Sequence, residues 1–193
     1  MTTLNLQVGA SADDTCVFGG TFYNTLADVG NAFSTITHVA ERFTGVSIAQ
    51  AATINSATLS VRAKENQSGA TCNLKVFCDD SDNATAPTNA TTFNGKTLTT
   101  GTSWSSVPSF TLDTWYSAPD IATEVQAVIN RSGWVSGNAL QTFIKNNASS
   151  SNAYRALYDY SDSSANAPKL DITYTAGGGG TTVKTLAATG VGG

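Results

Sequence analysis

Charge is what this sequence has least of. Only 12% of its 193 residues are Asp, Glu, Lys or Arg, against roughly 25% in an ordinary soluble domain. Ten basic residues face fourteen acidic ones, a net charge of -4, so no basic footprint exists for DNA or RNA and nucleic acid is not an expected partner. No stretch reaches the ~18 consecutive apolar residues of a membrane-spanning helix, so no membrane span is expected either. Met1 to Val8 carry neither the basic stretch nor the apolar run of a secretory leader. The expectation is a protein that stays where it is made until lysis, or one whose leader has been removed.

Histidine occurs once, as His38, within an alternating segment rather than on a glycine-rich loop. It reads as a sheet-face residue, and no nucleophile elbow accompanies it. The one glycine run, Gly177 to Gly180, follows the last strand-like segment and opens no helix, so it is not a phosphate cradle. The chain is expected not to be an enzyme. Three cysteines, Cys16, Cys72 and Cys78, are odd in number and lack metal-ligand spacing. They read as reduced core residues. Were 72–78 a strand, Cys72 and Cys78 would stand about 20 Å apart, too far for a bridge, while pairing of Cys16 with either stays open.

Alternation is what the sequence has in abundance. Leu4, Leu6 and Val8 alternate with Asn5 and Gln7, and the pattern returns over 54–63. The segments 37–43, 72–78, 108–112, 139–144, 154–158 and 170–174 add candidate strands, separated by Gly, Ser, Asn, Asp and Thr of the kind that makes turns. Many short strands joined by such loops predict an all-β sandwich in one domain over 1–175. One segment changes period: Ile121, Val125, Val128 and Ile129 fall on one face of a helix. With Pro119 and Asp120 in its first turn and Arg131 and Gly133 at its end, 119–131 is predicted as the one substantial helix, plugging an end of the sandwich. From 176 to 193 the chain becomes small, nearly uncharged and glycine-rich, an extended tail or arm by composition.

Two clusters invite chemistry. Asp79, Asp80 and Asp82 are hard oxygen ligands on a loop and form the candidate Ca²⁺ site, weighed against a solvated acidic turn; no other cofactor is expected. Trp104, Trp115 and Tyr116 are candidates for stacking on sugar rings, weighed, with Trp134, against closure of the core.

The segment 118–144 resembles a specific module. Its run Asn130-Arg131-Ser132-Gly133-Trp134-Val135-Ser136-Gly137-Asn138-Ala139-Leu140 looks like that of jelly-roll, carbohydrate-binding-module-like domains, found in secreted bacterial proteins and in structural (decoration or fibre) proteins of tailed phages. Blocks at 42–48, 52–57, 158–162 and 167–170 extend the likeness over about residues 40–175. The resemblance implies a jelly-roll β-sandwich and, more weakly, a function. Locally, Gly133 is expected to end the helix in a left-handed conformation, Trp134 to cover the sandwich edge, and Gly137-Asn138 to turn the chain into the next strand.

Two functions follow as expectations. The first is a capsid decoration (cement) protein on the virion exterior, a homo-oligomer such as a trimer. It would bind the major capsid protein or other virion proteins through its N-terminal residues and through Thr181, Val183, Leu186 and Val191 of the tail. The alternative is an extracellular glycan-binding module of a fibre, tail or secreted protein.

Overall fold

The computed structural model describes residues 1–177; the four tail residues expected to contact a partner, Thr181, Val183, Leu186 and Val191, lie outside them. Within them are twelve strands: β1 (Thr2–Gln7), β2 (Asp14–Phe18), β3 (Thr21–Tyr23), β4 (Asp28–Ala32), β5 (Thr35–Phe43), β6 (Thr53–Arg62), β7 (Leu74–Cys78), β8 (Thr102–Trp104), β9 (Trp115–Ser117), β10 (Leu140–Asn146), β11 (Tyr154–Ala156) and β12 (Lys169–Thr175). The segment 108–112 is not one of them: Phe110 makes a single bridge to Gln67. Two short helices, α1 (Ala90–Asn94) and α2 (Ala122–Ile129), complete the framework. No helix among the described residues is long and apolar enough to cross a membrane.

The strands form two antiparallel sheets, the β-sandwich expected from the sequence. One runs β1-β12-β6-β9; the other runs β11-β4-β5-β10-β7-β8, with β2 on β5 and β3 on β2. The first and last strands are neighbours, Thr2 opposite Tyr174 through Gln7 opposite Lys169, so the chain leaves the sheet beside the place it entered. The core lies between the sheets because every second residue of each strand points there. Val39, Phe43, Leu74, Val76, Leu140 and Ile144 of one sheet meet Leu59, Val61, Leu170 and Ile172 of the other, all at most 1% exposed. Each large side chain so buried contributes about 1.5–3 kcal/mol.

Helix α2 is shorter than predicted at both ends. The Asp120 carboxylate accepts hydrogen bonds from the backbone N–H groups of Ala57 (2.8 Å) and Ala122 (3.0 Å), while Ala118 and Ile121 donate to the Leu59 and Ala57 carbonyls. Residues 118–121 are thereby stitched to β6 and cannot coil until Ala122. The apolar face falls where the periodicity put it, with Ile121, Val125, Val128 and Ile129 all buried. Helix α1 carried no such signal. It exists because Asn89 and Thr92 form a reciprocal capping box and because Phe93 seats edge-on against Phe143, centroids 5.0 Å apart. Together with Val17 and Ala40 these rings make a small second core on the outer face of the larger sheet. All three cysteines are free and buried, and burial pushes their thiols up, Cys16 to about 11.

Candidate functional site

The block 130–138 that carries the resemblance builds one end of the sandwich. Arg131 reaches back to the 79–83 loop, its Nε 2.7 Å from Asp82 and its terminal nitrogen 2.5 Å from Asp80. Trp134 is 3% exposed and its indole N–H donates to the Ile48 carbonyl at 2.9 Å. Asn138 donates to the Asp82 carbonyl, and the Asn83 side chain accepts from the Ala139 N–H. Gly137 turns the chain with φ of 101°, a conformation that favours glycine. Gly133 does not adopt the left-handed conformation expected of it. Its requirement is space: a Cβ there would run into the Asp82 carboxylate. Asn130, at the end of α2, accepts from Gln126, whose carbonyl oxygen in turn receives the Ile54 N–H. Asn130, Arg131, Gly133, Trp134, Gly137 and Asn138 thus hold the end of α2, the 79–83 loop and the start of β10 together.

The calcium expectation is corrected by the same contacts. Asp80 and Asp82 face Arg131, whereas Asp79, 3% exposed, pairs with Lys96 at 2.8 Å. The three carboxylates are drawn to two different cations and do not converge. Among the described residues no group of three or more His, Cys, Asp or Glu side chains is placed to hold a metal ion.

The aromatic candidates separate. Trp104 is 7% exposed and packs in the core, so it is withdrawn as a stacking surface. Tyr116 is half-buried, stacked on Phe110 at 4.0 Å, with its hydroxyl accepting from the Thr111 N–H and donating to the Ser109 carbonyl. Trp115 is half-buried as well, with the Lys169 ammonium 4.4 Å from its ring centroid. Its strand neighbours place it on the outer face of the smaller sheet, opposite Arg62 and two strands over from Lys169, which with Asn5, Gln7 and Asp171 lines a shallow open depression.

His38 lies in β5 as expected. Burial, with the Lys145 charge nearby, pulls it down to about 4, and its Nδ1 accepts from the Asn146 N–H at 3.1 Å. It is a neutral sheet residue with its acceptor already engaged.

Two buried ionic features were not anticipated. Arg155 is 1% exposed and donates to four carbonyls: Pro108 (2.8 Å), Gly69 (3.0 Å), Tyr154 (2.7 Å) and Val107 (2.7 Å). It thereby pins the loops following β6 and β8 to β11. The second is a group of fully buried carboxyls, Asp14, Glu41 and Asp159. Asp14 stands directly opposite Glu41 across β2 and β5, and Asp14 Oδ1 and both Glu41 carboxyl oxygens are buried without a hydrogen-bond donor. Glu41 was visible in principle. Thr37, Val39 and Phe43 share its parity in β5, so a charged residue occupies a core position in a strand that was identified from sequence.

No protein-family model matches the chain, and no curated protein is significantly similar to it.

Proposed function

We propose that this protein is a non-enzymatic phage virion component, a capsid decoration protein that docks as a homo-oligomer on the shell formed by the major capsid protein. The observation that carries the reading is the use to which the 130–138 block is put. The residues that resemble the phage and secreted modules are consumed in closing the sandwich, through Arg131 on Asp80 and Asp82 and Trp134 on Ile48, which leaves a rigid, weakly charged body suited to contact. The β4–β5 hairpin supports it. At its apex Phe33 and Ser34 both have positive φ, 49° and 61°, a conformation that costs a non-glycine residue roughly 1–2 kcal/mol. The hairpin nevertheless presents Phe33 at 72% exposure, with Ile36 nearby at 42%. A strained turn that displays an aromatic ring is a feature of surfaces that meet a partner.

In this reading the termini provide the attachment. The test is co-sedimentation with capsids lacking the protein. Deletion of 176–193 is expected to abolish binding while the far-ultraviolet spectrum and melting temperature are retained; full binding by the truncated protein would overturn the role of the tail, and failure of the intact protein to bind would overturn the reading.

A second reading, a glycan-binding module of a fibre, tail or secreted protein, is favoured by one feature. Trp115 carries Lys169 over its ring, and Lys169 in turn borders a depression with Asn5, Gln7 and Asp171 farther across the sheet, the mixture of ring and hydrogen-bonding groups that sugars require. Glycan-array binding that is lost in Trp115→Ala but kept in Tyr116→Phe would move the assignment there.

A further inference from the structure

The Asp14–Glu41 pair lies on the inner face of the larger sheet, in register with the core residues Cys16, Val39 and Phe43. Both residues are 0% exposed. Of their four carboxylate oxygens only Asp14 Oδ2 has a hydrogen-bond donor from elsewhere, the Tyr160 N–H at 2.9 Å. Two ionised carboxylates cannot occupy such a place without a counter-charge. The titratable groups around the pair supply none. Asp159, also 0% exposed, adds a third carboxylate, with Oδ1 bound by Ser161 Oγ and the Asp162 N–H and Oδ2 unpartnered. Cys16 faces Glu41 as a buried neutral thiol, Asp162 adds negative charge, and β10 contributes Thr142, whose hydroxyl donates to the Glu41 backbone carbonyl. Of the cations on neighbouring residues and turns, Arg42 is committed to Asp13 at 2.7 Å and Lys64 to Asp162 at 2.7 Å, and Asp28 and Glu65 add further negative charge beside Lys64.

We infer that Asp14 and Glu41 hold a proton between them at neutral pH and form a latch that fastens the 159–163 turn to β2 and β5 until alkaline pH withdraws that proton. Glu41 is the donor and Asp14 the acceptor, and Asp14 passes the constraint to the turn through the Tyr160 N–H. Burial supports the assignment: it raises Asp14 from 3.8 to about 7, and it raises Glu41 well above the ordinary carboxylic range. The direction of the pH dependence follows. The unfolded chain releases these protons near pH 4 and the fold does not, so the pair's own contribution to stability is complete below about pH 4 and is lost progressively as pH rises from there through neutrality. Once the proton leaves, Asp14, Glu41 and Asp159 repel one another in a medium that screens poorly. The turn leading into β12 is then the element free to yield.

The experiment compares the intact protein with Glu41→Gln, whose amide can donate to Asp14 at every pH, and with Asp14→Asn. Infrared spectra at pH 7, where ordinary carboxyls are ionised, are expected to show a protonated carboxyl band in the intact protein that is missing from Glu41→Gln. The melting temperature of the intact protein should fall by roughly 3–5 °C per pH unit above pH 7, while Glu41→Gln stays flat. The Tyr160 amide should lose protection in the same range. Absence of the band at pH 7 overturns the proposal, as does an identical pH slope in both variants. A melting temperature at pH 8 raised by millimolar calcium and lowered again by EDTA also overturns it, since a metal cation rather than a proton would then fill the pair. If Glu41→Gln fails to fold, Asp14→Asn decides instead: Glu41 keeps its proton and donates to the amide oxygen, so the protonated band should persist at pH 7, and its absence overturns the proposal.

Discussion

Replacing Arg155 with Met retains length and apolar stem but removes all four hydrogen bonds to the Gly69, Val107, Pro108 and Tyr154 carbonyls. Pro108 is exposed and its carbonyl can recruit water, whereas Val107 is 4% exposed and Gly69 half-buried. Stranding those two acceptors costs about 1–3 kcal/mol each. Relief from desolvating the guanidinium acts in the other direction, while the loops it ties keep their remaining bonds, such as the Gln67–Phe110 bridge and Val107 N–H to the Cys72 carbonyl. The net expectation is a loss of about 4 kcal/mol, a large part of the roughly 5–15 kcal/mol that holds a domain of this kind together. At about 2–4 °C per kcal/mol for a chain of this length, the melting temperature should drop by roughly 8–16 °C. Urea denaturation followed by circular dichroism measures the loss directly. Arg155→Lys keeps the charge but gathers its donors on one nitrogen and cannot span carbonyls from three segments, so it should recover less than half. If Arg155→Met loses less than about 1 kcal/mol, the guanidinium is not what fastens these loops.

The sole histidine permits a clean titration: the His38 ring protons should shift with a midpoint near pH 4. Because the fold lowers this value, its contribution to stability is complete above about pH 6.5 and is lost as pH falls toward 4; a midpoint near 6.5 would contradict its burial. A thiol reagent should modify none of Cys16, Cys72 and Cys78 in the native protein and all three after denaturation, and rapid labelling of even one without denaturant would place it at the surface. Gly133→Ala should cost about 1 kcal/mol by forcing the Asp82 carboxylate off Arg131. In an Asp82→Ala background it should be nearly neutral, and equal costs in the two backgrounds would show that Asp82 is not what Gly133 makes room for.

The sequence by itself determined the fold class and much of its framework, because alternation with period two has one common solution when the apolar face must be buried. β5, β6, β10 and β12 were all legible for that reason, as was the buried face of α2. The strands β2, β3, β4, β8 and β9 were not. Their segments are short or broken by Gly and Asn, and they are extended because β5, β6 and β7, and for β3 the strand β2, supply the hydrogen bonds they need. α1 hid behind the same limit, five residues fixed by one cap and one ring.

The candidate sites were less legible still. Acidity at 79–82 was plain in the sequence, but which cation each carboxylate would meet depended on Lys96 and Arg131, 17 and 49–51 residues further along. Glu41 could be read as a charged residue at a core parity. Its partner could not, because Asp14 lies 27 positions earlier in a strand without alternation, and Asp159 and Arg155 arrive from the other end of the chain. Local patterns fix what a residue's backbone will do and which way its side chain points. What the side chain meets there is decided by contacts across the sandwich, and those exist only once the sheets have closed.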